Sequence, residues 1–522
     1  MRVRSTLLNV TVGLGNQLIV AVLSFVSRTV FIHSLGLDYL GINALFTSVL
    51  AMLSLAEAGI GSSIVYSLYK PVAERDEPRI MALMGLYKRA YAAIAAAVMA
   101  LGLLLLPFLH LFVGDTEVER LELIYLLFLL NTAAPYLFIY KHSFLNVNQK
   151  NYIVTAVFSV SFIVSTCAKI AILHFTQNYL LFLALESALT IATSILLSRM
   201  ADRMYPILKR RERHKLDAET KASFIRNMKA IMLQNVGNYF IFGVDSILIS
   251  SFISVAAVGL YSNYKMIIDL CRTFVNQVFA NMYHSIGNLV AQETKDTVYR
   301  IYKVSWLLNF WLYAFLAIML YMFMDPLIEL WLGESFLLGQ AAVVLLVVTF
   351  YERGLRNTIT TVKTTAGIFH ADRLAPIAQA AVNLGLSLLL VRHWGLAGIF
   401  AGTLVSSLAV PFWSTPYLVY AKVFQVPLIR YYARYFYYLA VGLAAWAAAE
   451  AAVMAIPGGH IGWLVLKAAA AAVVINVCFA AVFYRTDEFG YLKGVALRLI
   501  GKIPLPRRKR RRRMPYISRD GL

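Results

Sequence analysis

Charged side chains are scarce in this chain of 522 residues: Asp, Glu, Lys and Arg together make up 14%, against about 25% in ordinary soluble proteins. A single water-soluble core of this length is excluded, because such cores stop growing near roughly 250 to 300 residues. Too little polar surface is present to solvate two of them. Acidic residues are scarcer still, 27 against 48 Lys and Arg, for a net charge of +21. Cysteine is rarest of all. Cys167, Cys271 and Cys478 lie far apart in apolar stretches and form no CxxC pair, which argues against a disulfide framework, a zinc site and an iron–sulfur cluster. Catalytic signatures are missing too: no Walker A glycine loop, no HExxH and no GxSxG. The expectation is therefore no enzyme and no organic cofactor. A polytopic glycosyltransferase or polymerase would be expected to carry a larger outer loop with catalytic carboxylates.

What the sequence has instead is apolar length, with 60% hydrophobic residues and a mean hydropathy of +0.69, so lipid covers most of the surface. A membrane-spanning helix needs roughly 20 mostly apolar residues. By that criterion the chain divides into fourteen spans. Six run near 8–33, 39–68, 90–112, 121–140, 152–174 and 179–198. Eight more run near 230–252, 257–288, 304–324, 337–352, 375–391, 395–420, 435–455 and 461–483. The first is too long and lacks the A-x-A pattern of a cleaved signal peptide. Lys and Arg collect in cytoplasmic loops. With both termini cytoplasmic, only Arg120 and Arg392 fall in outer loops, and Arg28, Lys169, Lys265, Arg272 and Lys467 within spans. Asp115, Glu117, Glu119 and Glu122 flank one outer turn, and Asp325, Glu329 and Glu334 occupy another.

The fold class expected is an all-α polytopic membrane protein, with two pseudo-symmetric six-helix lobes and two C-terminal helices. Residues 1–198 form the N-terminal lobe, 199–229 a cytoplasmic linker containing KRRERHK, and 230–420 the second lobe. Residues 421–484 add two spans, and 485–522 a basic cytoplasmic tail. A phrase recurs in the two lobes. SLGLDYLGIN at 34–43 joins spans one and two, and SVAAVGLYSN at 254–263 joins spans seven and eight. Aligning Gly41 with Gly259 sets Arg28 opposite Ser246, one position from Asp245. Two ordinary tight turns would also produce so short a match. Parallel repeats of this kind suit alternating access.

The segment SRTVFIHSLGLDYLGINALFTSVLAMLSLAEAGIGSSIVYSLYKPVAERD, 27–76, resembles the N-terminal signature of Wzx-like bacterial polysaccharide flippases. These belong to the multidrug/oligosaccharidyl-lipid/polysaccharide exporter superfamily. FLNVNQKNYIV at 144–154 resembles that family's loop between spans four and five. The resemblance implies export of an undecaprenyl-diphosphate-linked oligosaccharide across the bacterial cytoplasmic membrane. Nearby alternatives are a lipid II flippase and a multidrug/cation antiporter. A non-transporting scaffold of a polysaccharide synthesis complex is the alternative of another class.

Ionisable groups at membrane depth are costly and usually face a protein interior or a wet cavity. In span eight Lys265, Asp269, Arg272 and Asn276 share one helical face. Lys265 and Asp269 could equally form a simple intrahelical pair. Arg28, Lys265 and Arg272 are the candidate substrate-binding cations, since a diphosphate needs charge-assisted donors. Glu57, Asp245 and Asp269 are the candidate gating or ion-coupling carboxylates, for which the coupling ion is a proton or sodium. Glu57 lies in SLAEAGIGSSI, where small residues make helix packing an equal reading. An Arg28 to Asp245 contact between lobes is an attractive hypothesis. Asn43, Gln234, Asn235, Asn238 and Asn263 are either sugar-binding or interhelical. Lys169 and Lys467 read as snorkelling side chains, and Glu186 and Glu450 as buried acids or coupling sites.

The tail carries seven successive basic residues, Arg507 to Arg513. After a last span that ends inside, anionic membrane lipids are its expected partner, with no nucleic acid. A polysaccharide polymerase and glycosyltransferases are candidate protein partners.

Overall fold

The computed structural model describes residues 2–54, 60–114, 116, 118–210, 243–292, 294–368, 370–457 and 461–501. Within those limits side chains are not described for 2–14, 60–66, 280–292, 370, 461, 496 and 498–501. Among the described residues the chain is helical throughout, and nine helices are long and apolar enough to cross a membrane. Two of these are double spans. Arg2–Leu53 is broken at Gly36, whose φ of 87° is open to glycine and strained for other residues. This separates α1 (2–35) from α2 (37–53, followed by Ile60–Glu74). Ala375–Ala409 is broken in the same way at Gly395, with φ 53°, giving α11 (375–394) and α12 (396–409, continued by Pro411–Val419).

The other spans are α3 (Glu77–Leu105), α4 (Leu121–Ala133 with Tyr136–Val147), α5 (Asn151–Thr176) and α6 (Tyr179–Met204). The second lobe holds α7 (described over 243–252), α8 (Val255–Gln292), α9 (Lys295–Leu332), α10 (Gln340–Leu355 with Asn357–Thr365), α11 and α12. Two added spans follow, α13 (Ile429–Met454) and α14 (Ile461–Phe483), then a short helix α15 (Asp487–Gly501). Local chemistry sets several ends. Asp76 caps α3 by accepting from the Arg79 N–H at 3.0 Å, and Asn178 caps α6 by accepting from Leu181 N–H at 3.0 Å. Pro135 lacks an N–H and divides α4. The fourteen-helix, two-lobe plan expected from apolar length is thus the architecture observed.

Several boundaries differ from the sequence reading. α3 begins at Glu77, which puts Lys88 and Arg89 in the helix, and α9 begins at Lys295. Two further differences involve buried or helical charges. The tenth span continues past residue 352, because Glu352 and Arg356 neutralise each other inside the bundle. Arg356 donates to both Glu352 oxygens, at 2.5 and 3.0 Å, and Ser407 of α12 bonds both partners. Arg353 therefore belongs to the helix, and Arg356 to the junction between its two segments, and neither to a cytoplasmic loop. Asp325 and Glu329 are likewise not in an outer loop but in the last turns of α9, where Asp325 accepts from the Tyr264 hydroxyl at 2.6 Å.

Lipid is as apolar as leucine, so helices in it associate through packing, small residues and polar contacts. The two added spans show the packing route. Trp306 of α9 stacks on Tyr431 at 4.9 Å, Phe310 on Tyr438 at 4.5 Å, and Phe310 meets Phe479 of α14 at 5.1 Å. Trp311 also donates to Asn476 at 2.8 Å. The C-terminal pair is therefore anchored on α9 by an aromatic ladder.

Candidate functional site

The lobes meet at the end of the bundle that carries the α1/α2 and α7/α8 turns. A Cβ built on Gly41 would lie 2.0 Å from the Val255 carbonyl oxygen, and one on Gly259 2.6 Å from the Leu37 oxygen and 3.2 Å from the Gly41 nitrogen. The two glycines aligned by sequence thus face each other across the pseudo-symmetric interface. Trp331 of α9 reinforces the junction by donating to Thr29 at 2.6 Å and packing on Phe25 at 4.8 Å. Deeper in, Ser48 donates to Ser246 at 3.1 Å. Neither glycine can accept a side chain while the lobes stay closed. Gly41→Val is expected to prevent closure at this end. A cysteine probe on Thr47, a cavity-lining position, should then label at least severalfold faster from that side than in the parent, at similar abundance. Unchanged labelling would show that the interface accommodates the bulk elsewhere.

Below this junction lies a cavity of about 960 Å³ between α1, α2, α4, α5 and α6 of one lobe and α7 and α8 of the other. Arg28, Lys265 and Asp269 line it. Arg28 reaches across the lobes to donate to Ser262 at 3.0 Å. On α8, Asp269 accepts from Lys265 at 2.7 Å and from Arg272 at 2.9 Å, so the helical stripe is a cation–carboxylate–cation triad. The intrahelical pair is present, but one carboxylate serves two cations.

A second, much smaller pocket of about 50 Å³ lies within the second lobe. Lys265 and Asp269 border both spaces, whereas Arg272, Asp245, Arg353 and Thr403 border only the smaller one. Asp245 accepts from Thr403 at 3.1 Å, and Thr403 accepts from Asn383 at 2.8 Å. Arg28 and Asp245 therefore have separate partners, and no ion pair joins them among the described residues. Glu57, Gln234, Asn235, Asn238 and the basic tail lie outside the described residues. Asn43 donates to the Tyr179 hydroxyl at 3.2 Å and lines the large cavity. Asn263 is fully buried, and neither end of its amide finds a partner among the described residues.

One pair escaped the sequence reading. Lys169, expected to snorkel, instead donates to Glu186 at 3.0 Å, and both line the large cavity. The signal was present in the spacing. In an antiparallel hairpin, residues equally distant from the turn come level, and the α5/α6 turn at Gln177 and Asn178 is midway between them.

Chemically, the large cavity presents three cations, Arg28, Lys169 and Lys265, the last two paired with Glu186 and Asp269, and many hydroxyl and amide side chains to a polar group. Residues 6–282 match the family described as polysaccharide biosynthesis protein. Among solved structures, the fold is similar to that of the lipid II flippase MurJ in an inward closed conformation. The identity is 12% and the TM-score 0.64, over 90% of this chain and 98% of that one. An inward-facing multidrug resistance MATE family transporter of the MOP superfamily aligns at 12% identity and TM-score 0.58, over 74% of this chain and 91% of that chain. A mutant of the Vibrio cholerae MATE transporter VcmN aligns at 16% identity and TM-score 0.57, over 82% and 98%. A search of the curated proteins found no match. At these identities the likeness is one of fold, the two-lobe fold of membrane transporters.

Proposed function

The chain belongs to the polysaccharide biosynthesis protein family, and from that premise we propose that it translocates an undecaprenyl-diphosphate-linked oligosaccharide from the inner to the outer leaflet of the bacterial cytoplasmic membrane. The observation that carries this reading is the interlobe cavity, with Arg28 on one wall and Lys265 on the other. Guanidinium and ammonium groups donate charge-assisted hydrogen bonds to phosphate oxygens, and a glycan needs the surrounding hydroxyl and amide partners. The polyprenyl tail stays in lipid, and the headgroup crosses inside. No covalent bond changes, so the protein acts as a transporter and not as an enzyme.

The basic loops support a cytoplasmic location for both termini, and on that reading the Gly41 and Gly259 end is the outer one. The described conformation is then closed to the outside. Rocking of the lobes about that contact would expose the headgroup to the far leaflet. Asp245, set off the cavity beside Thr403 and Asn383, is the group we assign to coupling by a proton or sodium ion. The Arg507 to Arg513 run attracts anionic lipids, and a polymerase and glycosyltransferases are the protein partners that would supply and consume the glycan.

Two experiments test the reading. Deleting the gene should leave undecaprenyl-diphosphate glycan accumulated on the inner leaflet, with surface polysaccharide lost and both restored by the intact chain. Normal surface polysaccharide without the chain would contradict it. For orientation, Glu119→Cys and Glu334→Cys, in a background lacking the three native cysteines, should react with an impermeant thiol reagent in intact cells. Glu74→Cys should react only after lysis. The opposite pattern would invert the topology and with it the direction of transport.

A further inference from the structure

We propose that the Lys169–Glu186 pair is a sugar-reading subsite, taking a neutral pyranose of the lipid-linked glycan on the wall formed by α4, α5 and α6. The inference deepens the transport reading and rests on it. Two ion pairs in this chain differ in a way that bears on their use. Glu352 and Arg356 are sealed, with side chains 3% and 9% exposed and both carboxylate oxygens engaged by Arg356 and Ser407. Lys169 and Glu186 stand open to the cavity, at 16% and 28% exposed, and share a single bond of 3.0 Å. Glu186 Oε2 and the remaining ammonium protons have no hydrogen-bond partner among the described residues.

A sugar hydroxyl is both a donor and an acceptor, so two vicinal hydroxyls are matched by an acceptor and a donor held close together. A carboxylate beside an ammonium group supplies that combination, and charge strengthens each bond. Phe182 fixes the donor, with the Lys169 Nζ 5.0 Å from its ring centre. The same wall holds Asn131, whose side-chain oxygen is buried with no partner among the described residues. A buried unsatisfied acceptor is uncommon, and turning the Asn131 side chain into the cavity would bring that oxygen to a hydroxyl donor. Phe162, on α5 with Lys169, also lines the cavity and offers an apolar surface to the C–H face of a pyranose ring.

Charge then sorts the two ends of the substrate. Lys169 and Glu186 sum to zero, so this wall favours an uncharged sugar, and an acidic sugar would meet Glu186. The diphosphate is drawn to Arg28, whose described partner is the neutral Ser262, and to Lys265, whose partner Asp269 is shared with a second cation, Arg272.

The test uses the full chain in proteoliposomes and two probes: the lipid-linked glycan extracted from membranes of the producing cells, and undecaprenyl diphosphate carrying no sugar. Glu186→Gln and Lys169→Gln should lower translocation of the glycan probe at least tenfold. Binding of the sugar-free probe should stay unchanged. The charge-swapped double variant, Lys169→Glu with Glu186→Lys, should recover abundance and thermal stability but not glycan translocation, because the pair is restored while its hydrogen-bonding order is reversed. Recovery of glycan translocation by the swap would reduce the pair to a structural bridge and overturn the proposal. Asn131→Ala leaves the pair intact and gives a third arm, expected to weaken glycan translocation alone. Equal effects of Asn131→Ala on both probes would also overturn it. Wild-type failure to move the glycan probe would instead overturn the transport reading beneath it.

Discussion

Arg28→Ala should cut translocation of a diphosphate-linked glycan by roughly 10- to 100-fold in reconstituted vesicles, with the protein still inserted and folded. A hydrogen bond to a charged group contributes about 1.5–3 kcal/mol, and that range corresponds to the stated loss. Arg28 lines the large cavity, and its described partner is a neutral hydroxyl, Ser262, at 3.0 Å. Among the described residues no carboxylate binds it in an ion pair that would compete with phosphate. Arg28→Lys keeps the charge and loses the planar fork, so an intermediate rate is expected. Lys265→Ala should fall in the same range, since Lys265 faces the same space. Arg272→Ala should cost less, because Arg272 borders the smaller pocket and holds Asp269 at 2.9 Å. Equal losses at Arg28 and Arg272 would show that Arg272 enters the cavity during the cycle. Wild-type rates in Arg28→Ala would remove the phosphate role from this wall.

The second large effect is on stability. Arg356→Ala leaves the Glu352 carboxylate, 3% exposed, with Ser407 as its described hydrogen-bond partner. Breaking a buried ion pair from one side costs about 3–5 kcal/mol, a large part of the roughly 5–15 kcal/mol that holds a folded domain together. Folded protein should therefore fall sharply, scored by thermal unfolding in detergent and by membrane abundance. Replacing both partners with apolar side chains of similar volume, Glu352→Leu with Arg356→Met, should recover most of that loss. Because neither residue lines a described cavity, translocation per folded molecule should change little. Full stability in Arg356→Ala would mean that Glu352 is held neutral or finds another donor.

Apolar length made the spans legible, and the glycine-centred phrase at 34–43 and 254–263 made the repeat legible. Gly41 and Gly259 then proved to be in contact, because pseudo-symmetric helix starts meet at the lobe interface and only residues without a side chain fit there. The Lys265, Asp269 and Arg272 stripe was readable because helical periodicity alone places it. Tertiary partners were not. Ser407 lies in another helix from Glu352, and nothing in the spacing connects them. The end of the tenth span was misplaced for the same reason: a hydropathy criterion counts Glu352 and Arg356 as two charges, whereas the fold pairs them and carries the helix onward. Lys169 and Glu186 occupy a middle position, recoverable from their symmetry about the α5/α6 turn once the hairpin is assumed. The partition of Arg272 and Asp245 into a separate pocket depends on α10 and α12, which no local pattern reports.

The most direct measurement is headgroup accessibility in vesicles holding the purified wild-type chain and the undecaprenyl-diphosphate glycan from the producing cells. The glycan is loaded in the inner leaflet only and read by an impermeant enzyme or lectin added outside. Transport predicts a time-dependent rise in accessible headgroup that protein-free vesicles lack and that Arg28→Ala largely abolishes. Accessibility that never exceeds the protein-free level, with correctly inserted and folded protein, would contradict translocation and leave the scaffold role in its place.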